Sequence, residues 1–321
     1  MISSKIKPNQ AVAEAVEKGF GNTPKSLPSW LFYDETGDKL FQEIMRMPEY
    51  YPTCCEYDIL QRYKDDLLKY FSRFTESFRL IELGAGDGLK TEILLKHFTV
   101  HQADFTYLPI DISANALDQL SLRLKTILPE LRIHPVNKAY DEALKSLRDQ
   151  TEKKIILFLG ANIGNFTIPE ASQFLKRMAL PLSGDDMLMI GFDLKKDPRV
   201  IQEAYNDPRG LTQRFNLNLL ARLNRELGAE FILGNFSHYP FYDPETGATK
   251  SYLISMKDQS VHIEALERSI HFNLWEPIQT EISQKYDVAM IEKILSSAGL
   301  QIIEFFYDSR QYFCDVLVKP G

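Results

Sequence analysis

Cysteine is scarce in this chain of 321 residues, which carries only Cys54, Cys55 and Cys314. Three cysteines, two of them adjacent, make no disulfide framework, which excludes the small disulfide-stabilised secreted folds. Basic residues form no block and the formal net charge is −7, so the chain lacks the basic surface that a nucleic-acid substrate requires. The histidines are scattered and no Cys/His cluster has metal-ligand spacing, so we predict no bound metal.

Long hydrophobic runs are also missing, although 44% of the residues are hydrophobic, which is enough for a packed core. No run is long enough to cross a bilayer, and the first residues lack the pattern of a secretory signal. The length suits one large domain or two modest ones. We therefore expect a cytoplasmic protein and a monomer, with neither a membrane nor a nucleic acid as its partner.

The most informative segment is a glycine-rich loop between an apolar run and a helical pattern. Residues 78–83 are apolar enough for a buried strand, and residues 90–97 have helical character. Between them, Gly84, Gly86 and Gly88 occupy alternate positions, which lets the backbone turn sharply and approach a ligand closely. The pattern predicts a cofactor loop, with a simple tight turn as the alternative.

The spacing of this loop argues against a dinucleotide site. A dinucleotide fingerprint places its third glycine three residues after the second, whereas Gly88 follows Gly86 by two and Leu89 comes next. With Glu82 inside the strand end, the acid-x-Gly-x-Gly-x-Gly pattern resembles the first motif of methyltransferases that use S-adenosylmethionine (SAM). An NAD oxidoreductase is disfavoured on the same ground.

A second acid supports a nucleoside cofactor. Residues 105–110 form an apolar run that ends at Asp111, and Ser113 is a suitable N-cap for the helical leucine pattern that follows. An acid at the tip of the second strand of a βαβ unit can accept both ribose hydroxyls. The alternative is that Asp111 only helps to cap the helix.

Apolar runs at 78–83, 105–110, 154–159 and 187–192 alternate with helical patterns, which predicts a parallel sheet covered on both faces. Ligands bind beyond the carboxyl ends of such strands. The pattern resumes with a helix at 288–297 and a hairpin of strands at 300–307 and 311–318. We therefore assign 61–195 and 285–321 to an α/β core, and 1–60 with 196–284 to a second domain.

Several separate motifs of the chain are similar to those of a known family. They are WLFYDETG (30–37), LFQEI (40–44), PEYYPT (48–53), ELGAG (82–86) with Lys90-Thr91, GANIGNF (160–166), YND (205–207) with Phe215-Asn216, and EISQKY (281–286). In these the chain resembles the histidine-specific Nα-methyltransferases of ergothioneine biosynthesis, which convert L-histidine to hercynine. The resemblance covers nearly the whole chain.

The resemblance implies a Rossmann-like class I SAM methyltransferase core and a substrate-binding domain built from the N-terminus and the insertion. It implies SAM as the cofactor, with Lys90 on its carboxylate and Tyr140 against its adenine. Where the family has Gly-Asp-Phe, this chain has Lys138-Ala139-Tyr140, so an acidic contact to adenine is missing. The implied SAM-binding residues are Glu82, Gly84, Gly86, Lys90, Asp111, Tyr140 and Gly160.

For the substrate, L-histidine, the resemblance makes Tyr33 and Asn165 the catalytic residues. Tyr33 matches the residue near the α-amino group, Asn165 the amino and carboxylate binder, and Tyr205 a carboxylate donor. The implied substrate-binding residues are Tyr50, Asn165, Tyr205, Phe215, Glu281 and Ser283.

Glu281 and Ser283 carry the prediction of specificity. In extended chain, residues two apart face one side, and a carboxylate with a hydroxyl can hold the two ring nitrogens of an imidazole. Near Ser251 the family has a methionine in its substrate pocket, so another amino acid, such as tryptophan, or a related amine is the alternative substrate. A non-catalytic SAM-binding module is a third reading, which the substrate residues disfavour.

Overall fold

The computed structural model describes residues 9–73, 77–148 and 152–321. The chain divides into two compact units, which we call the insertion unit (Met1–Tyr51 with Lys196–Ser283) and the seven-stranded unit (Pro52–Lys195 with Gln284–Gly321). The first boundary lies at Tyr51 rather than at residue 60, and residues 1–8 of the predicted second domain lie outside the described residues. None of the described helices combines the length and the apolar character that a membrane span requires.

Within the described residues the chain forms the following helices. They are α1 (Gln10–Gly21), α2 (Glu35–Met45), α3 (Tyr51–Phe71), α4 (Glu92–Val100), α5 (Ala114–Ile127), α6 (Tyr140–Leu147), α7 (Ile168–Ala179), α8 (Pro198–Tyr205), α9 (Leu211–Leu227) and α10 (Val288–Ser297). The strands are β1 (Ser77–Leu83), β2 (Asp104–Asp111), β3 (Val136–Asn137), β4 (Lys154–Phe158), β5 (Met187–Asp193), β6 (Phe236–Asp243), β7 (Ala248–Ser255), β8 (Gln259–Ile263), β9 (Arg268–Phe272), β10 (Pro277–Gln284), β11 (Leu300–Tyr307) and β12 (Phe313–Pro320).

The seven-stranded unit is built on one sheet with the strand order β11-β12-β5-β4-β1-β2-β3. The strands β1 to β5 pair in parallel, and β12 runs antiparallel between β5 and β11. Strands β4 and β5 are buried along their whole length, which agrees with their continuous apolar sequence. The carboxyl ends of β1, β2 and β4 therefore lie at one edge of the sheet, beside the glycine loop.

The predicted strands, the Ser113 cap and the closing helix are confirmed. The Ser113 side chain accepts a hydrogen bond from the Ala116 N–H, and α10 has the predicted bounds. The hairpin differs, because its second strand begins at Phe313 rather than at residue 311. The Asp308 carboxylate accepts hydrogen bonds from the backbone N–H groups of Arg310, Tyr312 and Phe313, which holds these residues in the turn.

The insertion unit has its own sheet, β10-β7-β6, and a separate β8-β9 hairpin. The amphipathic stretch predicted at 211–227 is confirmed as α9, whose Leu219, Leu220 and Leu223 are fully buried. These leucines belong to one hydrophobic core that also contains residues of α1, α2, β7 and β10. The unit thus joins the N-terminal segment and the insertion around a core of its own.

Candidate active site

The glycine loop turns at Gly84, directly after β1. Gly84 has φ +75°, and a Cβ at this position would lie 2.5 Å from the Tyr140 hydroxyl oxygen and 3.4 Å from Asn162 Nδ2. A larger residue would be strained in its backbone and would collide with Tyr140. The structure therefore brings Tyr140 and Asn162 to the loop, and Tyr140 itself packs edge-on against Phe158, at the end of β4.

Asp111, at the end of β2, forms a hydrogen bond with the same loop. Its Oδ2 accepts a hydrogen bond from the Gly86 N–H at 2.9 Å, and its Oδ1 accepts one from the Ser113 N–H at 2.9 Å. Asp111 thus serves the helix start and the loop together, and each carboxylate oxygen retains a lone pair for a further donor. Beyond the chain neighbours of Gly86, no described atom lies within 4 Å of a Cβ placed there, so the loop faces open space.

Glu82 supports the loop from inside the unit. The residue is 4% exposed, and its carboxylate accepts hydrogen bonds from Thr91 Oγ1 at 2.6 Å and from the Tyr107 hydroxyl. Burial raises the pKa of Glu82 to about 7, although the two hydrogen bonds and Lys90 oppose that rise. Glu82 therefore connects β1, β2 and the residue before α4, and its role is to position the loop.

Lys90 is held by Glu56 of α3. Its ammonium group pairs with Glu56 Oε2, while Glu56 Oε1 accepts a hydrogen bond of 2.7 Å from the Gly160 N–H at the end of β4. Burial lowers the pKa of Lys90, but the charge of Glu56 and its hydrogen bond outweigh burial and leave the pKa raised. One carboxylate thus joins the residue after the glycine loop to the loop after β4.

Asp315 of β12 faces the same carboxylate. It is 0% exposed, and among the described residues no donor reaches either of its oxygens. Burial and the nearby Glu56 charge raise the pKa of Asp315 well above its usual range, which favours the uncharged form of its carboxyl group. Gly191 makes room for both acids, because a Cβ there would lie 2.6 Å from Glu56 Oε1 and 3.1 Å from Asp315 Oδ1.

Asn165 ends a short 3₁₀ helix, Asn162–Asn165, that follows β4. The Tyr286 hydroxyl donates to the Ile163 carbonyl oxygen at 3.2 Å, which anchors this turn from the buried side. In the part of the chain that the structure describes, the Asn165 side-chain amide has no hydrogen-bond partner. Its amide is therefore available to a ligand at the carboxyl edge of the sheet, as the sequence predicts.

In the insertion unit, Tyr33, Tyr50 and Phe215 gather around Phe41. The ring centroid of Phe41 lies 5.7 Å from that of Tyr33, 6.1 Å from that of Tyr50 and 5.8 Å from that of Phe215. Three predicted substrate-binding residues from separate motifs thus form one aromatic cluster. Phe41 joins them, and it belongs to the LFQEI motif (40–44), for which the sequence predicted no role.

Two hydroxyl groups hold the predicted specificity pair on β10. Ser251 Oγ donates to Glu281 Oε2 at 2.9 Å, and the Tyr205 hydroxyl donates to Ser283 Oγ at 2.7 Å. The neighbouring Thr280 donates to Asn216 Oδ1 at 2.8 Å, which fastens β10 to α9 beside Phe215. Glu281 and Ser283 are therefore both set in place, and the Tyr205 proton expected on a substrate carboxylate is directed to Ser283.

Sequence reasoning missed Glu56, Asn162 and Asp315. Glu56 lies 34 residues before Lys90 and 104 residues before Gly160, so no local pattern connects them. Asn162 belongs to the GANIGNF motif (160–166), and its position after the carboxyl end of a predicted strand indicates a residue near the ligand. Asp315 lies in a strand that is otherwise apolar, and such an acid in a buried strand suggests a specific partner.

Comparisons with known proteins identify the family to which the chain is similar. A family model described as "Histidine-specific methyltransferase, SAM-dependent" matches residues 12–320. The histidine N-alpha-methyltransferase of Mycobacterium tuberculosis is 33% identical over 303 residues, covering 94% of this chain and 93% of that protein. The L-tryptophan methyltransferase of Psilocybe serbica is 28% identical over 329 residues, covering 95% of this chain and 90% of that protein.

A solved structure supports the fold. The mitomycin 7-O-methyltransferase superposes with a TM-score of 0.50 at 10% identity, covering 97% of this chain and 66% of that one. With the strand order described above, these findings confirm the predicted α/β, Rossmann-like methyltransferase core.

We predict that Glu82 makes the protein less stable as pH rises through neutrality. The folded-state pKa of about 7 exceeds the ordinary 4.5, so Glu82 binds its proton more tightly when the protein is folded. The resulting contribution to the free energy of unfolding is complete below about pH 4.5 and is lost as the pH rises to about 7, a loss of about 3 kcal/mol. Glu82→Gln should flatten this part of the dependence in urea unfolding followed by circular dichroism. The exposed Glu142→Gln is the control, and equal slopes for Glu82→Gln and wild type would contradict the prediction.

We also predict opposite outcomes for the two acids beside Gly191. Glu56→Gln removes one partner of a buried charge pair and should lower the free energy of unfolding by about 3 kcal/mol. Asp315→Asn should change it by less than about 1 kcal/mol, because an amide of nearly the same shape carries no charge and so avoids repulsion by Glu56. Chemical denaturation of both variants measures this. A larger loss for Asp315→Asn than for Glu56→Gln would contradict the prediction.

Proposed function

This chain belongs to the family of SAM-dependent, histidine-specific methyltransferases, and from that premise we propose that it trimethylates the α-amino group of L-histidine to hercynine. It is a SAM-dependent N-methyltransferase, and SAM is its cofactor. The observation that carries the choice of histidine is the pair on β10, Glu281 and Ser283, each oriented by a hydroxyl group.

The residues of the seven-stranded unit fit SAM. The loop at Gly86 faces open space, the Asp111 carboxylate retains acceptor capacity for ribose hydroxyls, and Tyr140 lies at the loop where an adenine would pack. Bound SAM supplies an electrophilic methyl group on a sulfonium centre. Lys90 reaches the same loop with a positive charge that suits the cofactor carboxylate, and Glu56 sets its position.

The protein's contribution to methyl transfer is to bind and orient the amine. An amine attacks only in its neutral form, and holding two reactants in line lowers the barrier by ~7–11 kcal/mol. We assign Tyr33 to the α-amino group and Asn165 to the amino and carboxylate groups, since the Asn165 amide makes no hydrogen bond to residues 9–73, 77–148 or 152–321. Tyr50 and Phe215, joined by Phe41, would pack against the side chain of the substrate.

The β10 pair matches an imidazole better than other aromatic side chains. We assign the acceptor Glu281 to a ring N–H and the Ser283 hydroxyl, which lies 2.7 Å from the Tyr205 hydroxyl, to the second ring nitrogen. An indole has one N–H and no ring acceptor, so tryptophan offers the pair one polar ring atom where histidine offers two. Phenylalanine offers none.

Tryptophan is the second candidate substrate. The Psilocybe relative, named as an L-tryptophan methyltransferase, shows that the family includes enzymes named for another amino acid. Ser251 stands where the family has methionine, and a serine leaves more volume beside the pair. The hydrogen bond from Ser251 to Glu281 nevertheless favours a ligand whose ring carries a polar atom. An indole ring has one nitrogen, and an imidazole ring has two.

The test is to incubate the purified protein with SAM and an equimolar mixture of the common amino acids, with mass spectrometry of the products. We expect histidine to gain three methyl groups while the other amino acids stay unmodified. A methylated tryptophan in place of histidine would reject the proposed substrate and keep the chemistry. Bound SAM with no methylated product would favour the non-catalytic reading.

We predict that Glu281→Gln lowers kcat/KM for histidine by about tenfold, since the acceptor of the ring N–H loses the charge that strengthens its hydrogen bond. The preference for histidine over phenylalanine should fall with it, because phenylalanine makes no such bond. Glu245→Gln, an exposed acid in the same unit, is the matched control and should change neither value. If the histidine preference survives Glu281→Gln, the specificity assignment is wrong.

The monomeric state and the cytoplasmic location stay predictions. Light scattering of the purified chain tests the first, and cell fractionation tests the second.

A further inference from the structure

Asp65, His97 and His101 form a cluster of side chains that can ligate a metal, apart from the residues assigned to SAM or substrate. Asp65 lies on α3, His97 lies in the last turn of α4, and His101 directly follows Val100, where α4 ends. Two histidines four residues apart project from one face of a helix. The sequence alone did not predict a metal site at these two histidines, because the third group comes from α3 and only the fold brings it close.

The distances suit one small cation. The three ligand atoms all lie within 4.8 Å of one another, and His97 Nε2 is 3.1 Å from Asp65 Oδ1. A tetrahedral Zn²⁺ site with bonds of 2.0–2.2 Å places its ligand atoms about 3.4 Å apart. Asp65 and His101 are both exposed, so their side chains can rotate inward by the remaining distance without disturbing the core.

The surroundings of both imidazoles are those of metal ligands. Nδ1 of His101 lies 2.9 Å from the carbonyl oxygen of His97, which favours the tautomer with its proton on Nδ1 and a lone pair on Nε2. Metal-binding histidines commonly donate their second nitrogen to a carbonyl in this way. His97 Nε2 is screened from solvent and makes no well-directed hydrogen bond in the described chain, a deficit that a cation would remove.

We propose that Asp65, His97 and His101 bind one divalent transition-metal ion of the class of Zn²⁺, Co²⁺ and Ni²⁺. Two imidazoles and a carboxylate suit these ions, and water completes the coordination. The ion joins α3 to α4, the helix that follows the glycine loop. It stabilises the seven-stranded unit by binding its folded state, and it takes no part in methyl transfer.

The experiment uses the tag-free full chain with Cys54→Ser, which removes an exposed thiol that would compete for the metal. After treatment with a chelator and dialysis, Zn²⁺ is titrated by calorimetry and Co²⁺ by visible absorption, and the Tm is measured with and without Zn²⁺. We expect one ion per chain and a higher Tm with Zn²⁺. His101→Ala and Asp65→Asn should each weaken binding by at least about tenfold and remove the rise in Tm.

The exposed His134, which lies outside the cluster, provides the matched control. His134→Ala should bind Zn²⁺ with unchanged affinity, and circular dichroism of every variant without metal checks that each is folded. Failure of the Cys54→Ser protein to bind either ion would overturn the proposal. So would stoichiometric binding whose affinity is the same after His101→Ala and Asp65→Asn.

Discussion

The Glu56 carboxylate joins three segments of the seven-stranded unit on which the cofactor loops depend. It comes from α3, pairs with Lys90 after the glycine loop, and accepts the Gly160 N–H at the end of β4. Lys90 has a long flexible side chain, and the ion pair fixes where its charge lies. Residue 191 must be glycine for this arrangement, since a side chain there would occupy the space of the carboxylate. A contact made by one buried acid thereby sets the positions of two loops that are far apart in sequence.

Glu56, Asp315 and Glu82 are buried acids near this edge of the sheet, and each is accommodated differently. Glu56 is paired with Lys90, the pKa of Asp315 is raised by burial and by the Glu56 charge, and Glu82 has a pKa near neutrality while two hydroxyl groups donate to it. An unpaired buried charge would cost several kcal/mol, so pairing and protonation are the two ways in which such acids persist. The glycine loop is therefore supported from below by Glu82, a carboxyl group with a pKa of about 7 that two hydroxyl groups hold in place.

The features that could be predicted from the sequence are those that depend on a local pattern of residues. The strands, the Ser113 cap, α9 and α10 follow from periodicity and capping residues, and the glycine loop with Asp111 follows from spacing along one βαβ unit. The family resemblance supplied Tyr33, Tyr50 and Phe215, and the structure brings these three rings together around Phe41. Glu56, Asp315 and the Asp65 partner of His97 were out of reach, because each acts through a residue on another element. The start of β12 was predicted two residues too early, because the pattern of apolar residues does not show the three backbone N–H groups that donate to the Asp308 carboxylate.

The hydrogen bond between Tyr205 and Ser283 links two roles that we propose for the substrate site, the grip on the carboxylate and recognition of the ring. Tyr205 donates to Ser283 and Ser251 donates to Glu281, so each member of the β10 pair is positioned by a hydroxyl group. A hydroxyl group can donate or accept and a carboxylate accepts, which suits an imidazole, whose two ring nitrogens are one donor and one acceptor or two donors. An indole brings one N–H and no ring acceptor, so it offers the pair a single polar contact, and this difference is the physical reason for preferring histidine as the substrate.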